Sequence, residues 1–251
     1  MTNKTYERNK LIWGEDAQNL LSQKHVAVLG LGGVGGYAAE SVARAGVGKI
    51  TVIDFDEVSQ NNINRQLLAL NSTKGRKKAF LMEERIKDIN PDIQVNAVND
   101  FFTINLAEKI FHEPVDYVID AIDTLRSKID LIEYCIKNEI PIISSMGAGN
   151  RLDPEQLYTA DVSEIDTKKC VFARNVVNKL KKRGIIEGLT VVASNEKPVR
   201  IEKKLSRVEL TTESGENIEF NKFTPGSSPF VPPVAGYIMA GYVVRSFIEK
   251  C

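Results

Sequence analysis

The chain has 251 residues, ordinary apolar and charged content, and 33 Lys/Arg against 33 Asp/Glu. That length suits one large α/β domain or a domain with an appended lobe, and zero net charge carries no whole-chain signal for a polyanion partner. Cys135, Cys170 and Cys251 form no CxxC pair, which excludes a readable tetrahedral zinc site and suits a reducing cytosol.

Residues 1–25 are polar and lack a signal-peptide pattern, so a cytoplasmic location is expected. Asp16 to Leu21 reads as an amphipathic helix. Arg8, ahead of it, reads by itself as a solvated charge. Val26-Ala27-Val28-Leu29 then forms an apolar run that suits a buried parallel strand. Gly30-Leu31-Gly32-Gly33-Val34-Gly35-Gly36 follows, a helix is expected over Tyr37 to Ala45, and Ile50 to Ile53 is a second strand ending on Asp54. Gly30, Gly32 and Gly35 fit the dinucleotide fingerprint in its required context, after a strand and opening a helix. One glycine permits the tight turn, one lets phosphate approach the backbone, and one lets helix pack on strand. Asp54 stands where a carboxylate accepts hydrogen bonds from ribose hydroxyls. The turn points to an adenine nucleotide and leaves open which one.

The segment Phe55 to Gln66 is rich in amides and acids, as expected of a loop at the ligand crevice of an open α/β sheet. Lys74-Gly75-Arg76-Lys77-Lys78 is expected to open a helix reaching about Asn90. Cations at a helix start oppose its macrodipole, so an anionic ligand explains one or two of them better than helix stability does. Strands are expected over 93–98, 115–120 and 140–144, with helices over 104–111 and 127–138. Asp120-Ala121-Ile122-Asp123 places two carboxylates at a strand's carboxyl end. Paired acids there suit Mg²⁺ with phosphate oxygens; the same spacing suits a helix cap by Asp123.

The fold class expected is α/β: a Rossmann-like, doubly wound, mostly parallel sheet with helices on both faces and a basic C-terminal lobe. Residues 1–167 would form the nucleotide-binding core. Residues 168–251 would add a basic docking segment and a C-terminal helix completing the same domain; the resemblance described below makes the nucleotide ATP and the docked polyanion tRNA. Between Lys168 and Arg207 stand twelve Lys/Arg and three acids, a local charge of +9, which marks a polyanion-docking surface. Within it a basic helix is expected over 171–183. The loop from Phe223 to Pro233 precedes an apolar helix from Val234 to Ile248. That helix is short for a membrane span and contains Arg245, so it reads as a core helix; surface association with a membrane stays open.

The set Gly30-x-Gly32-Gly33-x-Gly35, Asp54-Phe55-Asp56, Asn62-x-x-Arg65-Gln66, Gly75-x-x-Lys78 and Asp120-x-x-Asp123 resembles the ThiF/MoeB/HesA adenylating family, which shares ancestry with ubiquitin-activating enzymes. Within it the similarity is greatest to the branch that dehydrates threonylcarbamoyladenosine in tRNA, through Gly147-Ala148-Gly149, the basic segment and the Pro225-to-Pro233 loop. The resemblance implies ATP and Mg²⁺ as cofactors. Gly30, Gly32, Gly33 and Gly35 with Asp56, Gln66, Ala121 and Ile122 would surround the nucleotide, and Asp54 would hold the ribose. Asn62, Arg65 and Lys78 would engage the triphosphate, and Asp123 the metal. Arg8 matches an arginine that dimeric relatives reach into the partner's site. The implied reaction activates a carboxyl group as its adenylate. The implied partners are tRNA and a second copy of the chain, with a cysteine-desulfurase or sulfur-acceptor protein as a further candidate and DNA as none. Relatives often carry Cys-Pro-Leu-Ala where this chain has Cys170-Val171-Phe172-Ala173; a plain buried thiol is expected.

Three other functions share parts of this pattern. A carrier-protein adenylyltransferase would use the same ATP site, but such enzymes commonly have two CxxC pairs. An NAD-dependent oxidoreductase has no use for Arg65, Lys78 and Asp123 together. A noncatalytic ATP-retaining module should lack one of them.

Overall fold

Strand β1 (His25–Leu29) is buried along its whole length, and its alternate residues feed two separate cores. Val26 and Val28 pack on one side of the sheet, Ala27 and Leu29 on the other. Covering both faces removes the usual polar alternation, which is why the strand is apolar throughout. The computed structural model describes residues 4–202, 205–212 and 215–249. Cys251, Lys203 and Lys204 lie outside the described residues.

Parallel partners flank β1: β2 (Lys49–Ile53) on one side and β4 (Tyr117–Asp120) on the other. The seven-stranded sheet has the order β3-β2-β1-β4-β5-β7-β6, with β3 (Gln94–Val98), β5 (Ile142–Ser145), β6 (Leu157–Asp161) and β7 (Thr190–Ser194). Only β6 runs antiparallel. The order reverses between β1 and β4, the place where an open α/β sheet leaves a ligand crevice at its carboxyl ends.

One face carries α1 (Glu7–Leu21), α2 (Gly35–Ala45), α3 (Lys78–Ile89) and α7 (Val231–Ile248). The other carries α4 (Ile104–Ile110), α5 (Leu125–Lys137) and α6 (Val171–Lys182). The expected Rossmann-like, mostly parallel sheet with helices on both faces is therefore present. The segment after residue 168 supplies α6, β7 and α7 to the same body. The hairpin of β8 (Leu205–Thr211) and β9 (Asn217–Phe223) forms a second, two-stranded sheet. It touches the main body through Phe220, whose ring lies 5.4 Å from that of Phe101.

Most boundaries shift by one or two residues from expectation, and three helix starts differ for a visible reason. Helix α1 begins at Glu7 and is broken at Gly14, whose φ of 86° is non-helical. Helix α3 begins at Lys78, because Gly75 takes a φ of 81° and the chain turns there. Helix α7 begins at Val231, with Pro232 and Pro233 inside its first turn, where a missing N–H costs nothing. Among the described residues α7 is the one helix long and apolar enough to cross a membrane. Its Ala235, Met239, Val243 and Phe247 are buried in the α2-side core, as expected of a core helix.

Candidate active site

A cavity of about 480 Å³ opens at the carboxyl ends of β1, β2 and β4. Its floor is the glycine turn. Gly30 has a φ of 87°, and a Cβ there would stand 2.8 Å from the Ala121 carbonyl oxygen, so backbone meets backbone where the turn passes β4. Gly32 and Gly33 line the cavity. Gly35 does not, contrary to its expected nucleotide contact: it is the first residue of α2, and a Cβ would run into the Gly30 carbonyl. Its work is to seat the helix on the turn.

Asp54, Asp56, Asn62, Arg65, Gln66, Lys78, Ala121, Ile122 and Asp123 all line the same cavity. Asp54 is buried, and its two oxygens accept N–H bonds from Leu31 (2.6 Å) and Asp56 (2.8 Å). Lys78, 2% exposed, donates to Asp56 at 3.0 Å and stands 3.9 Å from Asp54. Burial raises the Asp54 carboxyl above its usual range, against the nearby Lys78 charge. Lys74 and Arg76 are exposed, and Lys77 is half-buried and paired with Glu57 at 2.9 Å. Of the basic run, then, only Lys78 points inward.

Arg65 donates to the Asn61 carbonyl (2.8 Å) and to the Asn64 side chain (2.9 Å). Burial disfavours its charge, and Asp123 across the cavity offsets this. The Asn62 side-chain oxygen accepts the Ser59 N–H at 3.1 Å and thereby shapes the loop. Gln66 is buried, and its Oε1 has no hydrogen-bond partner, which leaves an acceptor ready for a ligand.

The two acids of the Asp120–Asp123 string are separated by the structure. Asp123 faces the cavity. Asp120 does not, which corrects the expectation that both face the crevice: it is fully buried, with Lys128 at 2.6 Å and the Ser144 hydroxyl at 2.6 Å. Nor is Asp123 the helix cap; Thr124 holds the N-cap position of α5. Arg8 is exposed on α1 and is not part of this chain's own cavity wall. Cys170 is buried at the start of α6, its Sγ 3.9 Å from the Met146 carbonyl.

Two parts of the wall escaped the sequence reading. Phe101 and Phe102 follow β3 into the cavity; their place after a strand's carboxyl end was the available signal. Thr224, Pro225, Ser227 and Pro232 arrive from the far end of the chain. Asn150 pins that loop, since its N–H donates to the Gly226 carbonyl (2.8 Å) and its side-chain oxygen accepts the Gly226 N–H (2.6 Å).

Residues 6–250 match the ThiF family. The chain is 45% identical over 244 residues to the tRNA threonylcarbamoyladenosine dehydratase of Bacillus subtilis (strain 168), covering 97% of this chain and 94% of that protein. The crystal structure of E. coli tRNA N6-threonylcarbamoyladenosine dehydratase, TcdA, in complex with AMP is similar with a TM-score of 0.85 and 33% identity, covering 98% of this chain and 95% of that one. The same E. coli protein in complex with ATP gives a TM-score of 0.85 at 32% identity, with the same coverage. The molybdopterin-synthase adenylyltransferase of E. coli (strain K12) is 34% identical over 151 residues, 59% of each chain.

Proposed function

The chain belongs to the ThiF family, and from that premise we propose that it dehydrates threonylcarbamoyladenosine in tRNA, using ATP and a carboxyl-adenylate intermediate. The observation that carries this reading is the convergence of Arg65, Lys78 and Asp123 on the cavity floored by the glycine turn. Hydride transfer would need no such charge set.

The substrate carboxylate is a weak nucleophile and ATP is polyanionic, so the work is to hold two anions together and neutralise developing charge. Gly30, Gly32 and Gly33 let the phosphates approach the backbone at the start of α2. Asp54 accepts from the ribose hydroxyls, and Gln66 offers its unpaired Oε1. Arg65, Lys78 and Asn62 bind the triphosphate. The carboxylate displaces pyrophosphate from the α-phosphate. The substrate's own urea group then closes on the acyl carbon, AMP leaves, and the net change in the nucleoside is loss of one water.

Mg²⁺ fits this donor set. The cavity offers Asp123 on one side and cation-bound phosphate positions on the other, and Mg²⁺ takes one or two carboxylates with phosphate oxygens and water. No cluster of three metal-ligating side chains occurs among the described residues, so Asp123 would be its protein ligand. When bound, the ion neutralises charge on the phosphate oxygens.

The active form proposed is a cytoplasmic homodimer in which Arg8 enters the partner's cavity. Supporting this, Leu11 and Ile12 on the same helix are 87% and 81% exposed, an apolar surface that suits burial. Among the described residues the sulfur-partner expectation draws no support from an accessible thiol, since Cys135 and Cys170 are both buried.

The experiment is mass spectrometry of tRNA nucleosides after incubation with the protein, ATP and Mg²⁺. Loss of one water from threonylcarbamoyladenosine, dependent on ATP, is the expected result. An unchanged nucleoside together with ATP-dependent adenylation of a carrier-protein C-terminus would overturn the reading.

A further inference from the structure

We infer that tRNA phosphates are held by a cationic shelf on the crevice side of α6, formed by Lys168, Lys169, Arg174, Lys197 and Arg200, and not by the cations at the helix's far end. This rests on the tRNA reading above and says which surface serves it.

The direction of α6 divides the basic segment in two. Its start lies beside the carboxyl end of β5, where Cys170 meets Met146. Its end leads to Thr190, the amino end of β7, which runs parallel to β5. Twelve helical residues span about 18 Å. Lys181, Lys182 and Arg183 are therefore roughly that far from the crevice edge.

The two groups of cations also differ in what explains them. Lys179, Lys181 and Lys182 lie in the last turn of α6, where positive charge complements the macrodipole. Arg183 is paired with Asp130 and Glu133 on α5. Both facts account for the far end without a ligand. At the start of α6 the opposite holds. The first turn has no acidic residue, and Lys168, Lys169 and Arg174 oppose the dipole. Asp166 accepts the Lys168 backbone N–H and stands 3.9 Å from Lys169. Among the described residues no ion pair engages Lys168, Arg174, Lys197 or Arg200, and all four are exposed.

The shelf is continuous with the cavity wall. Lys169 Nζ donates to the Asn195 side chain (3.3 Å) just beyond β7. The carboxylate of Glu196, which would neutralise this region, is taken up by the backbone N–H groups of Leu152 and Asp153. Val199, between Lys197 and Arg200, donates its N–H to the Asn150 carbonyl at 2.7 Å. Asn150 is the residue that pins the Pro225–Gly226 loop against the cavity. A nucleotide whose carboxylate reaches the ATP site would thus have its flanking phosphates beside these cations. An RNA backbone, with one charge per phosphate, matches this row of Lys/Arg, in which Lys169 alone has an ion-pair partner among the described residues.

The test compares two neutralised proteins, Lys168→Gln/Arg174→Gln/Lys197→Gln and Lys181→Gln/Lys182→Gln, by tRNA binding across a salt series. With single-strand-like contacts, losing three phosphate partners flattens the slope of log affinity against log salt by about two and weakens binding on the order of tenfold or more near physiological salt. The shelf variant should show both, with a raised KM for tRNA, unchanged kcat at saturating tRNA and unchanged ATP affinity. The far-end variant should stay within about twofold of wild type on every measure. A shelf variant with wild-type slope, or a far-end variant that weakens tRNA more, overturns the shelf while leaving the dehydratase reading intact. Wild-type protein that neither binds tRNA nor alters its nucleosides overturns both.

Discussion

Lys128 Nζ lies 2.6 Å from the Asp120 carboxylate, and both side chains are completely buried. Lys128 also donates to the Ser144 hydroxyl at 3.1 Å, while the second Asp120 oxygen accepts the Ile122 N–H at 3.1 Å. The pair thus ties α5 to the ends of β4 and β5 and shapes the turn that presents Asp123. Removing one partner leaves a buried uncompensated charge, so Lys128→Met is expected to cost about 3–5 kcal/mol. The double variant Lys128→Met/Asp120→Leu should recover most of that loss. Urea unfolding of the double variant and of both single variants is the measurement; costs that simply add would show that the charges do not depend on each other.

Arg65→Ala and Lys78→Ala should each lower kcat on the order of 100-fold or more, as removal of a single charge-stabilising donor does. Their effects on the fold should differ. Arg65 sits on a polar loop. Lys78 is buried between Asp54 and Asp56, so its loss leaves two carboxylates facing each other and lowers stability by a few kcal/mol. Thermal melts without nucleotide separate the two cases, and an unchanged melt for Lys78→Ala would mean that its charge is not needed by the folded chain.

Asp123→Asn should lose activity and change its Mg²⁺ dependence without changing the melting temperature, because Thr124 and not Asp123 occupies the N-cap position of α5. Activity measured over a Mg²⁺ series decides this. A lowered melting temperature with normal turnover would return Asp123 to a structural role.

His25 should set part of the acid limb of stability. Its Nδ1–H donates to the Pro114 carbonyl, and Nε2 accepts from the Thr51 hydroxyl, each at 2.8 Å; the carbonyl, which can only accept, fixes this tautomer. Burial pulls the imidazole below its ordinary 6.5. Between the folded and unfolded values the unfolded chain binds the extra proton, so this contribution is full above about pH 6.5 and is lost as pH falls through that window. His25→Gln should flatten that limb in denaturant titrations. An unaltered pH slope would exclude His25 as its source.

The glycine turn and its two strands were legible because β-branched runs, three glycines and an acid stand in one short stretch, and local chemistry decides them. Arg65, Lys78 and Asp123 were marked by the motif order that resembles the ThiF/MoeB/HesA family, because local chemistry left open which cation of the basic run faces the crevice and whether Asp123 is a ligand or a cap. Asp120 was misplaced for a different reason. Spacing cannot say that the last residue of β4 turns toward α5, where Lys128 waits eight positions on. The loop at Pro225 was legible as a loop, but its closure of the cavity depends on Asn150, 76 residues away, and pairings of that range leave no local pattern. Pro232 and Pro233 read as loop because proline usually ends helices, whereas here they begin one.

The last prediction concerns Arg8. It is exposed on α1 and contributes nothing to its own chain's cavity, yet the charge logic of the site gains from a third cation near the phosphates. In a two-fold dimer the same surface of each subunit faces the other, so an Arg8 that serves the partner's cavity is matched by the partner's own. Arg8→Ala and Arg65→Ala proteins should each be nearly inactive. After mixing, a hybrid dimer has one cavity with both arginines and one with neither. Equal mixing makes half the dimers hybrid, so about a quarter of wild-type activity should return. The rescue should be absent when subunit exchange is blocked by crosslinking before mixing. No recovery in a sample shown by mass spectrometry to contain hybrid dimers would mean that Arg8 acts in its own chain or not at all.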